Sequence, residues 1–346
     1  MGNYELFIFI NGLIVIITKN ESNYIKGIAI ILMLTHHLFA FPERIPTNVN
    51  VINSLPFIGW DIDNFIASFG KVCVAMFLFI SGYGYSFKNK INFKYSLTKL
   101  KKLYFSYWLV FIIFIPIGFL FVDNNWNDSS PIKLAKNIMG ISSDYNGEWW
   151  FIQLYVVYVL ALPIISRLNS ITLILIALIS LPLGYLSQRM GYYGISMCLI
   201  WLYPFISGYV FGKENKLITE IMKYINKLFF YTFSVLCIMF FFVTFKMYGL
   251  IVTSPLFVML IIYIYNKTMH HHIINNLGKH SMYMWLTHSF FCYYYTPEII
   301  YSVRYAPLIL SLLILVSYIT SVILDKIDFF MKKLYMKSRN YLQSQN

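Results

Sequence analysis

The stretch KGIAIILMLTHH, Lys26 to His37, sets one cation and two histidines at opposite ends of an apolar run. Imidazole, with an ordinary pKa of about 6.5, can take a proton from a hydroxyl or attack a carbonyl itself. As a helix, the segment puts Lys26 and His37 roughly 16 Å apart along the axis, about half a bilayer core, and only about 20° apart in rotation. They share a face, whereas His36, about 100° away, looks elsewhere. The alternative is structural: a lysine snorkelling to one membrane surface and a histidine pair in interfacial water at the other.

Two further stretches carry polar chemistry in apolar surroundings. In KVCVAMFLFISGYGYSFKNK, Ser81, Gly82 and Gly84 interrupt an aromatic run where glycine allows close approach by a ligand or by a neighbouring helix. In KYSLTKLKKLYFSYW, Lys99 and Lys102 fall one turn apart with Lys101 beside them. Such a cluster holds anionic lipid, or the phosphates of a nucleotide-bearing cofactor.

These residues must be positioned by membrane-spanning helices. With 59% hydrophobic and 12% charged residues, the composition does not describe the surface of a soluble domain. Apolar runs recur at about 25–41, 69–87, 103–122, 149–168, 171–187, 194–212, 226–245, 249–266, 280–296 and 306–325. The expectation is an all-α polytopic membrane helix bundle of about ten transmembrane helices. Glu5 to Thr18 is too short to span comfortably and has neither a basic leader nor a small-residue cleavage site, so residues 1–20 are read as an interfacial or re-entrant segment. Residues 21–328 form one membrane domain and residues 329–346 a basic tail.

Charge orients the bundle. With both termini in the cytoplasm, inward loops hold twenty of the twenty-seven Lys and Arg residues, and the acids Glu43, Asp61, Asp63, Asp123, Asp128, Asp144, Glu148 and Glu298 lie outward. The net charge of +13 is thereby a topology signal that calls for no nucleic acid. Four scattered cysteines without CxxC spacing suggest neither disulfides nor a metal. The run His270, His271, His272 resembles a metal tract, but adjacent histidines rarely converge on one ion without a preset backbone. Tyrosine and tryptophan are expected mostly in interfacial belts, with Trp126 and Trp149 free to stack on a sugar face.

Taken in order, the motifs resemble the acyltransferase-3 family of integral membrane acyltransferases, the polysaccharide O-acetyltransferase type. The family's Arg-x10-His pattern is matched by Lys26 and His37, its FFxxSG by FLFISG (Phe77 to Gly82), and its cytoplasmic RxxR by Lys99 and Lys102. WWFIQLYVVYVLALP, from Trp149, is similar to a Trp-Phe-Leu span of the family, and NNLGKHSMYMWLTHSFF ends like its late histidine segment, with Trp285 at a usual Tyr position and His288 at the His. The resemblance runs from about residue 22 to 325. Lysine for arginine at 26, 99 and 102 keeps the charge and loses the planar fork. The family's acid one turn beyond the histidine is replaced by Phe41, which leaves Glu148, beside Trp149 and Trp150, as the candidate partner of His37; its other reading is a plain interfacial acid.

The resemblance implies acyl transfer from cytoplasmic acyl-CoA, usually acetyl-CoA as co-substrate and without a metal, to a hydroxyl of a cell-surface polysaccharide or lipid-linked sugar, at a bacterial plasma membrane. His37 is then base or nucleophile; Lys26, Lys99, Lys101, Lys102, Ser81 and Gly82 meet the donor; His288 is a partner or a packed histidine. A polysaccharide exporter or flippase of the same membrane family is the alternative. It would need no imidazole in line with a cytoplasmic cation and would be expected to carry paired repeats, which the two halves do not display. A third reading, a structural partner of a synthase complex, would make His37 dispensable.

The charge pattern predicts that Lys94 and Lys216 face the cytoplasm and Asp61 and Asp128 the outside. Single cysteines at these positions, treated with an impermeant thiol reagent in intact cells, check this: labelling at 94 with protection at 128 would reverse the orientation.

Overall fold

The computed structural model describes residues 16–55, 61–122, 130–269 and 271–343. Most of the apolar segment 5–18 lies outside them, as do Trp126, Asp128 and His270. Among the described residues the architecture is helical, with one isolated bridge between Ile52 and Tyr305 in place of a sheet. The helices are α1 (Lys19–Phe39), α2 (Ile62–Phe69), α3 (Val72–Ser86), α4 (Phe93–Phe121), α5 (Pro131–Ile138), α6 (Trp150–Ile165), α7 (Ser170–Arg189) and α8 (Tyr193–Ile200). They are followed by α9 (Leu202–Lys213), α10 (Asn215–Tyr224), α11 (Lys227–Phe245), α12 (Met247–Tyr265), α13 (His272–Ser289), α14 (Pro297–Tyr301) and α15 (Ala306–Gln343). The last of these continues unbroken through the start of the expected tail.

Among the described residues, eight stretches are long and apolar enough to cross a membrane: 62–86, 93–120, 147–165, 170–189, 193–213, 227–245, 247–265 and 306–334. Two of the ten expected spans are missing from this set, and they are α1 and α13, the helices that carry His36, His37 and His288. Their polar residues lower the hydropathy of the stretch because they face protein: Thr35, His36, His37, Ser281, Thr287, His288 and Ser289 are all buried.

Local chemistry starts the helices where the sequence suggests. Thr18 and Glu21 form a capping box at α1, with Thr18 N donating to Glu21 Oε2 at 2.7 Å and Glu21 N to Thr18 Oγ1 at 3.2 Å. Asn169 and Asn226 cap α7 and α11 with side-chain oxygens, and Ser130 with Pro131 at the first helical position starts α5.

The chain divides into two compact units, one of residues 1–29, 71–93 and 160–275, the other of 30–70, 94–159 and 276–346. In the first, α3 and α9 are in backbone contact. A Cβ added to Gly82 would lie 2.0 Å from the Phe205 carbonyl oxygen, one added to Gly208 would lie 2.0 Å from that of Phe79, and Gly212 abuts Ser86. Small residues four apart on both helices, Gly82 and Ser86 against Gly208 and Gly212, let the backbones meet, which is how helices associate where water does not drive them together. Gly82 is thus a packing residue. In the second unit, α13 is followed without a break by a π-helical turn, Phe290–Tyr295.

Because the α3 and α9 backbones touch, a side chain at 208 must push the helices apart. Gly208→Val should destabilise the protein by about 1–3 kcal/mol, the usual cost of overpacking. Thermal unfolding in detergent measures it, and an unchanged midpoint would mean that the two helices part freely.

Candidate active site

An α-helix leaves its last carbonyls without partners. In α1, ending at Phe39, three side chains take them: the Tyr293 hydroxyl donates to the carbonyl of His37, Tyr301 to that of Leu38 at 2.8 Å, and the Asn64 amide to that of Phe39 at 2.9 Å. The end of α1 is therefore fixed by hydrogen bonds to its final turn, and the two histidines of that turn are fixed with it. His36 gives its Nδ1 proton to the carbonyl of Ala67 on α2 at 2.8 Å, and its ring meets that of His37 edge to face at 5.3 Å.

His37 is held at both ring nitrogens. Nε2 lies 3.3 Å from Glu148 Oε2, and Nδ1 lies 3.2 Å from the Tyr293 hydroxyl oxygen. Tyr293 gives its own proton to the main chain, so its oxygen is an acceptor for Nδ1. The ring has a seat for two protons, one against a carboxylate and one against a phenol oxygen. The His288 ring lies 4.9 Å from that of His37, centroid to centroid, and Phe41 stacks on His37 at 6.4 Å. His288 donates from Nδ1 to the Trp285 carbonyl at 2.8 Å, which leaves its buried Nε2 as a bare acceptor with no hydrogen-bond partner among the described residues.

Glu148 reaches His37 because its turn is tied to α13 and the turn beyond it. It sits in a 3-10 turn, Gly147–Trp149, where Asn146 Oδ1 accepts from the Glu148 amide at 3.1 Å. The Asn146 side chain exchanges hydrogen bonds with Ser289 at 2.8 and 3.0 Å; the Trp149 indole donates to the Leu286 carbonyl at 3.1 Å, and Gly147 N to the Tyr294 hydroxyl at 3.2 Å. The Glu148 side chain is 11% exposed, so it is no plain interfacial acid. A buried carboxylate needs charged partners, and it has a second one in Arg44, whose Nη1 lies 3.0 Å from Oε1. The guanidinium lies over Phe41 at 4.4 Å and Tyr293 at 4.8 Å, a cation against two ring faces. Burial works against its charge, but Tyr293 and Glu148 outweigh it and raise the Arg44 pKa above its ordinary value.

The segment before Glu148 also departs from a simple outward loop. It folds back along α4, whose Tyr107, Trp108 and Tyr104 donate to the carbonyls of Asn137, Ile138 and Met139 at 2.5, 2.8 and 2.7 Å. The three bonds close the end of α5 as Tyr293, Tyr301 and Asn64 close the end of α1. From Trp108, α4 runs on to Phe121, about 20 Å of further helix.

The structure thus brings together His37, Glu148 and His288 and adds Arg44 and Tyr293, which the sequence reading did not single out. Arg44 stands in an ordinary-looking loop, FPERIP, and Tyr293 in a run of three tyrosines whose phase is set by the π-helical turn. Lys26, Ser81 and Gly82 belong to the other unit: Lys26 is half-buried on α1, and the Ser81 hydroxyl donates to the Phe77 carbonyl of its own helix at 2.8 Å. Lys101 and Lys102 are exposed on the first turns of α4, and Lys99 Nζ lies 5.2 Å from the centre of the Tyr95 ring. Trp149 corrects an expectation. It is 1% exposed and packed on Tyr107, with no face open to a sugar.

A family model described as an acyltransferase domain matches residues 19–326. No curated protein and no solved structure matches the chain.

The two histidines of α1 should separate by experiment. His36→Ala strands the Ala67 carbonyl in the interior and should cost about 1–3 kcal/mol of stability, whereas His37→Ala leaves Glu148 with Arg44 and should cost less. Unfolding of both variants in detergent measures this; equal losses would mean that His37 is as structural as His36.

Proposed function

The chain belongs to the acyltransferase-3 family of membrane acyltransferases, and from that premise we propose that it transfers an acetyl group from cytoplasmic acetyl-CoA to a hydroxyl of a cell-surface or lipid-linked glycan at a bacterial plasma membrane. The observation that carries the proposal is the buried pairing of His37 with Glu148, shared by Arg44. In the reaction the acceptor hydroxyl attacks the thioester carbonyl, its proton passes to His37, the carbon–sulfur bond breaks and the thiolate of CoA leaves, to be protonated in turn. Glu148 and the Tyr293 oxygen stand against the two ring nitrogens, so the imidazolium formed by taking up that proton has an acceptor for each of its N–H groups. A base placed this way typically contributes about 10² to 10⁴ in rate. Arg44, 3.0 Å from Oε1, holds Glu148 in place, a positioning role.

On the donor side, Lys99, Lys101 and Lys102, and Lys26 on α1, are the cations for the phosphates of CoA, as point charges in place of the family's arginines. Ser81 and Gly82 belong to the motif that resembles the family's donor segment, and Ser81 remains the candidate for aligning the thioester. His288, with its bare Nε2, is the second imidazole of the site and a candidate to orient the acceptor.

The test is acyl incorporation into the surface glycan, normalised to membrane-inserted protein. His37→Ala should abolish it, Glu148→Gln should lower it by about 10²-fold or more, and His36→Ala should retain much of it per folded molecule. Replacing Lys99, Lys101 and Lys102 with Ala should raise the KM for acyl-CoA with little change in acceptor dependence. Full activity in both His37→Ala and Glu148→Gln would remove the catalytic reading and leave transport of the glycan in its place.

A further inference from the structure

The first unit carries a cleft unrelated to the histidine site. It has a volume of about 350 Å³ and lies where the end of α7 meets the α11–α12 hairpin, lined by Leu181, Tyr185, Phe241, Phe245, Tyr248 and Val252. It opens on the outside of the protein, since Tyr185 and Phe245 are each about half exposed, at 50% and 51%. Its walls are apolar. The polar groups at its rim are the Tyr185 hydroxyl and the Tyr248 hydroxyl, which bonds Gln188 Oε1 at 2.5 Å, so the cleft has little with which to read a sugar. The cleft sits at one level, in the last turns of α7 and α11 and the first turns of α12, at the helix ends away from the lysine-rich loops that precede α11 and follow α12.

Two cations flank that level. Arg189 is the last residue of α7, next to Gln188, and Lys246 forms the one-residue turn between Phe245 of α11 and Met247 of α12; both are exposed. Lys246 has φ +52°, in the region that favours glycine, so a lysine is kept where the backbone would prefer none. Gly249 allows the tight hairpin, since a Cβ there would lie 2.0 Å from the Phe241 carbonyl oxygen. An apolar slot at one end of three apolar helices, with aromatic rings at its lip and two exposed cations at those same helix ends, matches a molecule with a chain below and a phosphate on top.

We infer that the α7–α11–α12 cleft is a binding site for one anionic phospholipid of the surrounding bilayer, its acyl chain between Tyr185 and Phe245 and its phosphate against Arg189 and Lys246. The site is independent of the acyl-transfer chemistry.

Native mass spectrometry of the full chain, released from phosphatidylcholine micelles containing a minority of phosphatidylglycerol, tests the site directly. The wild-type protein should retain one phosphatidylglycerol in preference to phosphatidylcholine. Arg189→Gln and Lys246→Gly should each lower that preference about five-fold and together about thirty-fold, the loss expected for removing one and two charges next to an anionic surface. Lys246→Gly relieves the backbone as it removes the charge, so loss of lipid there cannot be put down to misfolding. Leu181→Trp, which fills the slot with both cations in place, should abolish retention. The proposal is overturned if the wild-type protein shows no preference for phosphatidylglycerol, if the double variant retains it unchanged, or if a cysteine at position 185 cross-links to that of a second copy, which would make the cleft a subunit interface.

Discussion

An α-helix leaves its last carbonyls without partners of its own, and the candidate site is organised around two such ends. The final carbonyls of α1 are taken by Tyr293, Tyr301 and Asn64, and those of α5 by Tyr107, Trp108 and Tyr104. Because the donors sit on other helices of the same unit, closing each end also fixes its distance from the helix that closes it. Tyr293 does this and at the same time offers its oxygen to the His37 ring. The abundance of tyrosine, read from sequence as an interfacial belt, has here a second use as a long-armed hydrogen-bond donor that caps backbone.

Burial of all but 11% of its side chain explains why Glu148 sits between two basic side chains. A carboxylate removed from water is costly unless paired, and Arg44 supplies a permanent charge while His37 supplies a conditional one. Arg44 is 41% exposed and lies against the rings of Phe41 and Tyr293, which orient its guanidinium towards Glu148. Phe41 stands where the family places an acid, and it acts as a wall: it stacks on His37 on one side and supports Arg44 on the other. The carboxylate against His37 comes from the turn before α6, which the Asn146–Ser289 and Trp149–Leu286 bonds hold in place.

The class of fold was legible because hydrophobic runs of span length have few other uses, and eight of the ten expected runs satisfy length and composition. The two that fall short could be read only by their polar residues, since burial against protein removes the need to be apolar. That Lys26 and His37 lie on one continuous helix was legible, because α1 is unbroken from Lys19 to Phe39. Glu148 was singled out by its place just outside an expected span, beside Trp149 and Trp150. Arg44 and Tyr293 were not legible. Arg44 is brought to Glu148 by a short 3-10 turn, Pro42–Arg44, and Tyr293 by a π-helical turn that shifts its phase from a 3.6-residue repeat. Neither shift leaves a pattern in a single sequence. The fold-back of the chain before Glu148 was hidden for a similar reason: its polar residues read as an exterior loop, and only the partners of the α5 carbonyls disclose where it lies.

The length of α4 beyond Trp108 bears on what can reach His37. Trp149 packs on Tyr107 and Glu148 is its neighbour in the chain, so the carboxylate sits near that level of α4, with about 20 Å of helix still to run. That stretch of helix does not seal the pair, since Arg44 is 41% exposed and 3.0 Å from Glu148 Oε1; whatever arrives from solvent on that side meets a planar cation before it meets the carboxylate.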